Sequence, residues 1–495
     1  MPEESLTYRA SGVDIRASRR AKERIKAHVR RTHGAQVVTR LGLFGGGVSL
    51  AQLKSCGCPL LVGSLADAGE GGEGGRRSCD GASILDRCLE KIPGATGVAF
   101  LDYLAASHLS PARVEAWVKG FADGLLRARR GSSGLPIPLV GGETAEMPGV
   151  FRPGGWEVVG ALFGVAEGAS SSQPGSGPPG GLSGMRGMDR PVLVLSIDGV
   201  GTKTMLGAAL RRTSGLALDM IHHSLNDILC LGARGLAVMF YVGCHRLEEE
   251  LVLPLRRAAE ACLEDLGLAC LEFRLAEKPG LYLPGQMDIC AAVAGLAEEG
   301  SLLQGSGIAA GNLLVGLPSN GLHTNGYSLA RKALLERAGL GLEDFSAELG
   351  STLGEALLAP HRNYAPLVLP LLGQGEGQGA GAVRGIAHIT GGGLAENLSR
   401  ILPRGTAAEI RTSAWQPPPI FGLIQRCGNI PASDLAGKGM FETFNMGIGM
   451  VLVVSCAGAQ GVMSSLRIRG EEPRIIGRVV AGRDRVARRR VRLLP

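Results

Sequence analysis

The sequence predicts an α/β or α+β protein with three folded units, two of which are related. Apolar runs rich in Val and Leu end at glycine turns and alternate with segments whose apolar residues recur at helical spacing. Four such segments recur in the same order on either side of a Gly/Ser/Pro-rich stretch, which indicates an internal duplication. A chain of 495 residues is long enough for two to four domains, and we expect three.

The duplication is visible as four pairs of matched segments. The first, second and fourth pairs read as strands and the third pair reads as helices. The pairs are PLLVGSLADAG (59–69) with PVLVLSIDGVG (191–201), GATGVAFLDYLA (94–105) with GARGLAVMFYVG (232–243), LSPARVEAWVKGFADGLLRA (109–128) with LEEELVLPLRRAAEACLEDL (247–266), and WEVVGALFGVAEG (156–168) with MDICAAVAGLAEEG (287–300). We interpret residues 1–167 as a unit A′ and residues 189–299 as a related unit A.

The rest of the chain divides into a linker and a third unit. GASSSQPGSGPPGGLSGMRG (168–187) cannot bury enough apolar surface to order itself, so 168–188 is predicted to be a flexible linker. Residues 300–495 form the predicted unit B. Its expected elements are two strand–glycine loop–helix segments at 311–335 and 385–405, a strand at 444–455 and a closing strand pair at 466–480.

Composition and charge restrict the partners and the compartment. Lys and Arg number 52 against 45 Asp and Glu, and the resulting net charge of +7 suits an anionic, phosphate-bearing substrate. The basic segments 17–31 and 483–492 lack interleaved aromatic residues, so we interpret them as solvated faces or tails rather than nucleic-acid arms. Eleven cysteines without a CxxC pair read as free thiols, and no apolar leader or stretch of about 18 apolar residues occurs. We therefore expect a cytoplasmic protein with no membrane or nucleic-acid partner.

Residues that could bind a metal ion and a phosphate interrupt the apolar segments of A. SIDGVGTK (196–203) places Asp198, two glycines and Lys203 at the end of a predicted strand. A carboxylate can hold Mg²⁺, glycine lets backbone N–H groups approach a phosphate, and a lysine can meet a phosphoryl charge. SLNDILCLGA (224–233) adds Asn226 and Asp227, and a second metal ligand is the natural use of a carboxylate in an apolar segment. The alternative for SIDGVGTK is a surface turn. The alternative for Asn226 and Asp227 is a capping or buried hydrogen-bonded pair.

Unit A′ offers a second set of candidates. VGGETAEMPG (140–149) has a flexible backbone beside Glu143, Thr144 and Glu146. FLDY (100–103) places Asp102 at the centre of an apolar strand.

Unit B offers two glycine loops that each precede a helix. GLHTNGYSL (321–329) carries His323 and Asn325, which suits an anion cradle with an acid/base group, although a single histidine is commonly structural. ITGGGLAENL (389–398) gives three glycines at a helix start, which is a phosphate-binding pattern. Glu396 follows in the first turn, where an acid also stabilises the helix dipole.

Together these motifs resemble the phosphoribosylformylglycinamidine cyclo-ligase family, also called aminoimidazole ribonucleotide synthetases. The resemblance is carried by DGVGTK, ND, FLDY, GGETAEMPG, HTNGYSL, ITGGGLAENL, FNMGIGM, and a start YRASGVDI (8–15) followed by GLFGG (42–46). The DG and ND elements also resemble those of other enzymes of the same fold, namely selenophosphate synthetase, thiamine-phosphate kinase and formylglycinamide ribonucleotide amidotransferase. GGETAEMPG and the long matches in B favour the cyclo-ligase family.

The resemblance implies an ATP-dependent ring closure in de novo purine biosynthesis. The formyl oxygen of formylglycinamidine ribonucleotide is phosphorylated, an internal nitrogen attacks, and phosphate leaves as the imidazole forms. ATP and Mg²⁺ are the implied cofactors, and the partner is a small nucleotide substrate. The implied site residues are Lys203, His323, Asn325 and Glu143 for catalysis; Gly42, Gly45, Gly46, Gly199, Gly201, Thr202, Asn226, Gly141, Gly142 and Thr144 for ATP; Gly391, Gly392 and Gly393 for the substrate; and Asp198, Asp227 and Asp102 for the metal.

The chain departs from the family pattern in having two A-type units for one B. The family is expected to pair as two-fold dimers through A, with sites near the interface. Each copy here lacks motif residues that the other keeps. In A′ the positions of Asp198, Thr202, Lys203 and the ND pair hold Ala66, Glu70, Gly71, Glu90 and Lys91, and in A the positions of Asp102 and GGET hold Phe240, Glu272, Phe273, Arg274 and Leu275.

These complementary losses suggest two tandem ATP-binding-type domains that form an intramolecular pseudo-dimer with one working site. The site would take Asp198, Lys203 and Asp227 from A, Glu143 and Thr144 from A′, and His323 from B. The sequence leaves open further homo-oligomerisation. Two alternatives also remain open, namely a catalytically inactive regulatory or scaffolding paralogue and a sister ATP-using enzyme of the same fold, such as a small-molecule kinase.

Overall fold

The computed structural model of the protein describes residues 5–7, 10–53, 56–70, 81–128, 135–168, 181–372, 381–433, 439–482 and 490–495. Most of the predicted linker, Gly71 and most of the basic segment 483–492 lie outside these residues. Within the described ranges, no helix is both long enough and apolar enough to cross a membrane. The ten cysteines of the described residues are all free.

The strands are numbered in chain order. They are β1 Gly46–Ser49, β2 Pro59–Glu70, β3 Thr96–Ala106, β4 Leu139–Glu146, β5 Trp156–Glu167, β6 Pro191–Gly199, β7 Arg234–Cys244, β8 Ala269–Glu277, β9 Met287–Glu298, β10 Leu313–Pro318, β11 Phe345–Ser346, β12 Ser351–Thr352, β13 Val383–His388, β14 Thr406–Arg411, β15 Ile448–Val454, β16 Arg474–Ala481 and β17 Val491–Leu494. The α-helices are α1 Ile15–Arg31, α2 Gly81–Lys91, α3 Pro111–Ala128, α4 Thr204–Ala209, α5 Ser214–Leu229, α6 Glu249–Leu266, α7 Tyr327–Arg331, α8 Leu353–Leu358, α9 Ala365–Val368, α10 Gly393–Ile401, α11 Pro419–Gly428, α12 Met440–Thr443 and α13 Ala459–Ile468.

Two N-terminal sheets have the same strand order. The first runs β2-β5-β3-β4, and the second runs β6-β9-β7-β8 with β1 added beside β6. In each sheet the last pair, β3–β4 or β7–β8, is parallel and the other pairs of the shared order are antiparallel. The register is also the same: Asp102 lies opposite Gly160 in the first sheet, and Phe240 lies opposite Ala291 in the second.

The two sheets pack face to face, and helices cover their outer faces. Because successive strand residues point to opposite faces, Tyr103 of β3 and Tyr241 of β7 join one buried cluster between the sheets. Phe100 of β3 instead joins the cluster beneath α2 and α3, and Phe240 of β7 joins the cluster beneath α5 and α6. The order of layers is therefore helices, sheet, sheet, helices.

The edges of the two sheets meet at two junctions. At the first junction β4 of the first sheet lies beside β6 of the second, and at the second junction β8 lies beside β2. The strand β4 covers GGETAE, which the sequence predicted as a flexible loop. It is extended because its residues pair in parallel with β3, for example Glu143 with Tyr103.

The N-terminal arm crosses the first junction. Helix α1 packs on α3 of the first sheet, and β1 then pairs with β6 of the second, Gly46 opposite Leu195. A Cβ atom at Gly46 would lie 2.2 Å from the carbonyl oxygen of Val140 in β4, so only glycine fits between the two edges. The arm strand therefore extends the second sheet, although the sequence grouped the arm with A′ in residues 1–167.

The C-terminal part folds around a six-stranded sheet of order β13-β15-β10-β16-β14-β17. It is joined to α5 by Asn226, whose Nδ2 donates to the carbonyl oxygen of Arg362 at 2.8 Å and whose Oδ1 accepts from the amide of Tyr364 at 3.0 Å. The strand pair predicted at 466–480 is wrong in its first half. Leu466 is the buried residue that anchors the last turn of α13, and only β16 is a strand there.

Candidate active site

A cavity of about 770 Å³ opens at the first junction, between the two N-terminal sheets, the arm and the C-terminal part. Its wall takes residues from all four parts, including Lys22 of α1, Glu143 of β4, Asp198 of β6 and Asn325 of the loop before α7. The predicted site residues that line it are Gly42, Gly45, Asp102, Gly141, Gly142, Glu143, Thr144, Asp198, Asp227, Asn325, Gly391 and Gly392.

The remaining predicted residues do not line the cavity. They are Gly46, Gly199, Gly201, Thr202, Lys203, Asn226, His323 and Gly393. Several serve packing instead. Thr202 hydrogen-bonds Ser328 at 3.0 Å between Oγ atoms, and a Cβ atom at Gly393 would lie 1.9 Å from the carbonyl oxygen of Phe441.

Lys203 is turned away from the cavity and is almost fully buried. Its Nζ donates to Oδ1 of Asp219 at 2.8 Å and to the carbonyl oxygens of His323 at 3.1 Å and Ala359 at 2.8 Å. Burial lowers the pKa of Lys203 and raises that of Asp219. Since an ammonium group has three donors and all three are used, Lys203 ties the second sheet to the C-terminal part and has no donor left for a ligand.

Carboxyl groups from both sheets gather in the cavity. Burial raises the pKa of Asp102 to about 7, and the charge of Glu143 adds to this shift. Burial also raises the pKa of Glu143, with Lys22 opposing and Asp198 adding to the effect. Lys22 Nζ is 4.0 Å from Glu143 Oε1. Burial is the main cause of both shifts, and neighbouring carboxylates add to them. Carboxylate oxygens are the ligands that Mg²⁺ prefers, so the donor set fits that ion.

His223 of α5 joins two of these carboxylates. Its Nε2 lies 3.0 Å from Oδ2 of Asp198 and 3.8 Å from Oδ2 of Asp227, and its Nδ1 lies 2.7 Å from Oγ1 of Thr324. Burial would lower the pKa of His223, but the charge of Asp198, the hydrogen bond to it and the charge of Asp227 raise that pKa to about 9. His223 is therefore an imidazolium at neutral pH and holds both carboxylates in place.

Three more histidines pack beside His223 beneath the cavity. Nδ1 of His388 lies 2.8 Å from Oδ1 of Asp227, and Nε2 of His388 lies 2.9 Å from Nε2 of His361. The ring of His323 stacks on that of His361 with centroids 4.0 Å apart. Burial lowers the pKa of His323, His361 and His388, so all three are neutral.

Basic side chains and a helix N-terminus also contribute to the cavity wall. Arg19, Lys22, Lys26, Arg40 and Arg400 line it. Helix α10 begins at the Gly391–Gly392 turn, where Gly392 has φ of 92° and the helix N-terminus favours an anion. Oγ1 of Thr144 is buried at the wall without a hydrogen-bond partner among the described residues. This combination suits a ligand that carries phosphate groups and polar atoms.

Comparisons with known proteins show the family of the chain. The family model for the N-terminal domain of AIR synthase related proteins matches residues 92–166 and 186–296, and the model for the C-terminal domain matches residues 309–489. The phosphoribosylformylglycinamidine cyclo-ligase of Alkaliphilus metalliredigens is 38% identical over 315 residues, which cover 63% of this chain and 88% of that protein. The chain belongs to the phosphoribosylformylglycinamidine cyclo-ligase family.

The chain is also similar to a second cyclo-ligase and, more distantly, to a solved kinase structure. The cyclo-ligase of Carboxydothermus hydrogenoformans is 41% identical over 301 residues, covering 61% of this chain and 84% of that protein. Among solved structures, the thiamine-monophosphate kinase of Stenotrophomonas maltophilia aligns with a TM-score of 0.44 at 14% identity, covering 61% of this chain and 85% of that chain.

The motifs that resemble the cyclo-ligase family supply many cavity residues and His323, but not the other histidines of the cluster. The sequence analysis did not select His361 or His388, because a single histidine has no local sequence signature. His223 could have been found, because it lies four residues before Asp227 and so faces the same side of a helix. The basic residues of α1 were seen in the sequence but interpreted as a solvated face.

Proposed function

We propose that the protein catalyses the ATP-dependent cyclisation of formylglycinamidine ribonucleotide to aminoimidazole ribonucleotide, with release of ADP and phosphate, in de novo purine biosynthesis. The main observation in support is that a member of the cyclo-ligase family has a cavity at its first junction. This cavity combines carboxylates from both sheets with basic side chains and glycine turns. Free cysteines are compatible with a cytoplasmic enzyme.

Asp198 and Asp227, with Asp102 beside them, would hold Mg²⁺ in this cavity. When bound, the ion supplies neutralisation of the charge that develops on a transferred phosphoryl group. The protein's own residues do the rest. His223 donates to Asp198 at 3.0 Å and so fixes the direction of that carboxylate.

The ATP and substrate positions follow from the chemistry of the walls. Gly42, Gly45 and the β4 backbone at Gly141 and Gly142 form the part near the carboxylates, and we assign ATP there. We assign the ribose phosphate of the substrate to Asn325 and the Gly391–Gly392 turn at the start of α10. Holding both molecules in one cavity gives the reacting groups the proximity that ring closure needs.

We further propose that the two N-terminal sheets are duplicated domains forming an intramolecular pseudo-dimer with one working site. Three observations support this. The two sheets share strand order and register. The N-terminal family model matches two separate segments of the chain. The alignment with the Alkaliphilus metalliredigens cyclo-ligase covers 88% of that protein but only 63% of this chain.

At the second junction, acidic side chains among the described residues pair with basic ones. Arg274, at the position that matches Glu143, pairs with Asp67. Lys91 Nζ lies 2.7 Å from Oε1 of Glu272. Glu272 and Lys91 stand at the positions that match Gly141 and Asp227 of the cavity, and at the second junction they bind each other, which supports a single site per chain.

The proposal is tested by the rate of ADP release from ATP and formylglycinamidine ribonucleotide. Asp198→Asn and Glu143→Gln lie on different sheets, and each should lower kcat by at least about 100-fold because each removes charge that the site uses. The matched control is Arg274→Gln, the equivalent of Glu143 at the second junction, which should retain turnover. Full activity of the Glu143→Gln protein would refute a shared site. Turnover only with another phosphoryl acceptor would identify a sister enzyme.

A further inference from the structure

Beneath the cavity, three histidines of the C-terminal part lie close together. His323 precedes α7, His361 follows α8 and His388 ends β13, and each side chain is at most 1% exposed. One nitrogen from each ring lies within 4.8 Å of the other two. We propose that His323, His361 and His388 form a binding site for a divalent transition metal such as Zn²⁺, distinct from the carboxylates assigned to Mg²⁺.

The placement of protons on His388 favours a metal. A carboxylate can only accept, so Nδ1 of His388 carries the hydrogen that is donated to Asp227 at 2.8 Å. The neutral ring then has a lone pair on Nε2, and this lone pair faces Nε2 of His361 at 2.9 Å. Two nitrogens this close require either a proton or a cation between them.

His323 decides between these choices. If a proton bridged His361 and His388, both ring nitrogens of His323 would stay without a partner among the described residues, as they are in the structure. Leaving a buried polar atom unsatisfied costs about 1–3 kcal/mol. A metal ion bound by all three rings leaves none of the facing nitrogens unsatisfied.

The groups around the three rings resemble the outer ligand shell of a metal site. Metal-binding histidines commonly donate their second N–H to a carboxylate or another oxygen, which fixes the tautomer and orients the ring. Asp227 has this role for His388. Nδ1 of His361 lies 3.4 Å from Oγ1 of Thr324, and the backbone amide of His361 donates to Oδ1 of Asp219 at 2.7 Å.

The ligand type selects the class of ion. Three neutral imidazoles offer borderline nitrogen donors, which suit Zn²⁺, Co²⁺ or Ni²⁺, whereas Mg²⁺ prefers oxygen. The two ring nitrogens of His223, the fourth histidine of the group, already contact Asp198 and Thr324. The proposed site is therefore a three-histidine site.

Such an ion would hold the loops that form one wall of the cavity. Asn325 lies two residues after His323, and Thr390, Gly391 and Gly392 follow His388, and these residues line the cavity. The backbone at His323 has φ of 62°, an uncommon value for a residue with a side chain. A bound metal would lock this loop and the glycine turn to each other.

The test measures metal binding and not turnover. The full-length protein is stripped with a chelator, exchanged into excess Mg²⁺ so that the carboxylates are occupied, and titrated with Zn²⁺ or Co²⁺. Elemental analysis should give one Zn²⁺ per chain, and Co²⁺ should give the visible absorption of a nitrogen-ligated ion. His361→Ala and His323→Gln should each weaken binding by at least about 100-fold, more than the loss typical of an outer-shell change.

Two controls separate this site from others. His108→Ala removes an exposed histidine and should leave Zn²⁺ binding unchanged, and Asp198→Asn should leave it unchanged although it impairs the proposed catalytic site. Absence of tight Zn²⁺ binding by the wild-type chain would overturn the proposal even if a variant fails to fold. Binding that survives His361→Ala would also overturn it. Neither result affects the proposed cyclo-ligase activity, which is measured independently.

Discussion

Lys203 and Asp219 form an ion pair whose side chains are 1% and 0% exposed. The sequence predicted Lys203 as a phosphate-binding residue because it ends a glycine-rich turn. The structure instead surrounds its ammonium group with Asp219 and two carbonyl oxygens. No local pattern could distinguish these outcomes, because the partners His323 and Ala359 lie far along the chain.

A variant pair tests this structural role. Lys203→Met leaves Asp219 buried without its partner and should lower the free energy of unfolding by about 3–5 kcal/mol. The double variant Lys203→Met/Asp219→Leu removes both charges and should recover most of that loss. Urea unfolding measures both values. A Lys203→Met protein as stable as wild type but inactive would instead support a catalytic lysine.

Asp288 gives a pH-dependent test of the interface between the two sheets. Burial raises its pKa to about 7, although the hydroxyl of Tyr103 donates to it at 3.0 Å. An unfolded Asp has a pKa of about 3.9, so the folded state holds an extra proton between these values and stability falls as pH rises from about 4 to about 7. The wild-type free energy of unfolding should fall by up to about 4 kcal/mol over this range, and Asp288→Asn should abolish this fall.

The measurement is the free energy of unfolding at several pH values. Asp86→Asn, at an exposed position of α2, is the matched control and should keep the wild-type pH dependence. An Asp288→Asn protein with the same pH profile as wild type would contradict the raised pKa.

At the scale of elements, the sequence predicted strands and helices well where their patterns were long. The strands β3, β6, β7 and β9 and the helices α3 and α6 all lie where periodicity placed them. GGETAE was predicted to be a flexible loop because of its glycines. It forms β4 because it pairs in parallel with β3. Glycine is needed within this strand because a Cβ atom at Gly142 would lie 2.3 Å from Oδ1 of Asp102.

The arm, which the sequence grouped with A′, has its strand in the second sheet. Along the chain, β1 is followed by β2, but it pairs with β6. All four strands of the first sheet lie between β1 and β6 in the sequence. Sequence proximity favours local pairing, and here the packing between the two edges prevails.

The contact between β1 and β4 can be tested at one glycine. Gly46→Ala places a Cβ atom 2.2 Å from the carbonyl oxygen of Val140, so the arm must move away from the first junction. We expect a loss of about 1–3 kcal/mol in stability and a raised KM for ATP, because the arm lines the cavity. Gly280→Ala, which meets no atom within 4 Å, is the control. Equal behaviour of the two variants would argue against a packed arm.

At the scale of the whole molecule, the two N-terminal sheets bury one face of each against the other. Cluster residues such as Leu101, Phe163, Leu195 and Met239 come from both sheets. The pairing of the two A-type units was predicted from complementary losses in the sequence. Of the histidine group beneath the cavity only His323 was singled out from the sequence, because only the three-dimensional fold brings His361 and His388 beside it.

The extent of this buried interface predicts how a cut chain behaves. A protease site introduced within residues 169–180 and cleaved after folding should leave two fragments that elute together in size-exclusion chromatography, since the shared core does not depend on the connection. The uncut protein with the same inserted site is the control. Separation of the fragments without denaturant would show that the sheets need the connecting segment to stay together.

The stoichiometry of ATP binding tests the single composite site most directly. Calorimetric titration of the full-length protein with a non-hydrolysable ATP analogue and Mg²⁺ should give one site per chain, and Glu143→Gln and Asp198→Asn should each weaken that same site. Two equivalent sites per chain, or one site that is insensitive to Glu143→Gln, would contradict a cavity shared between the two sheets.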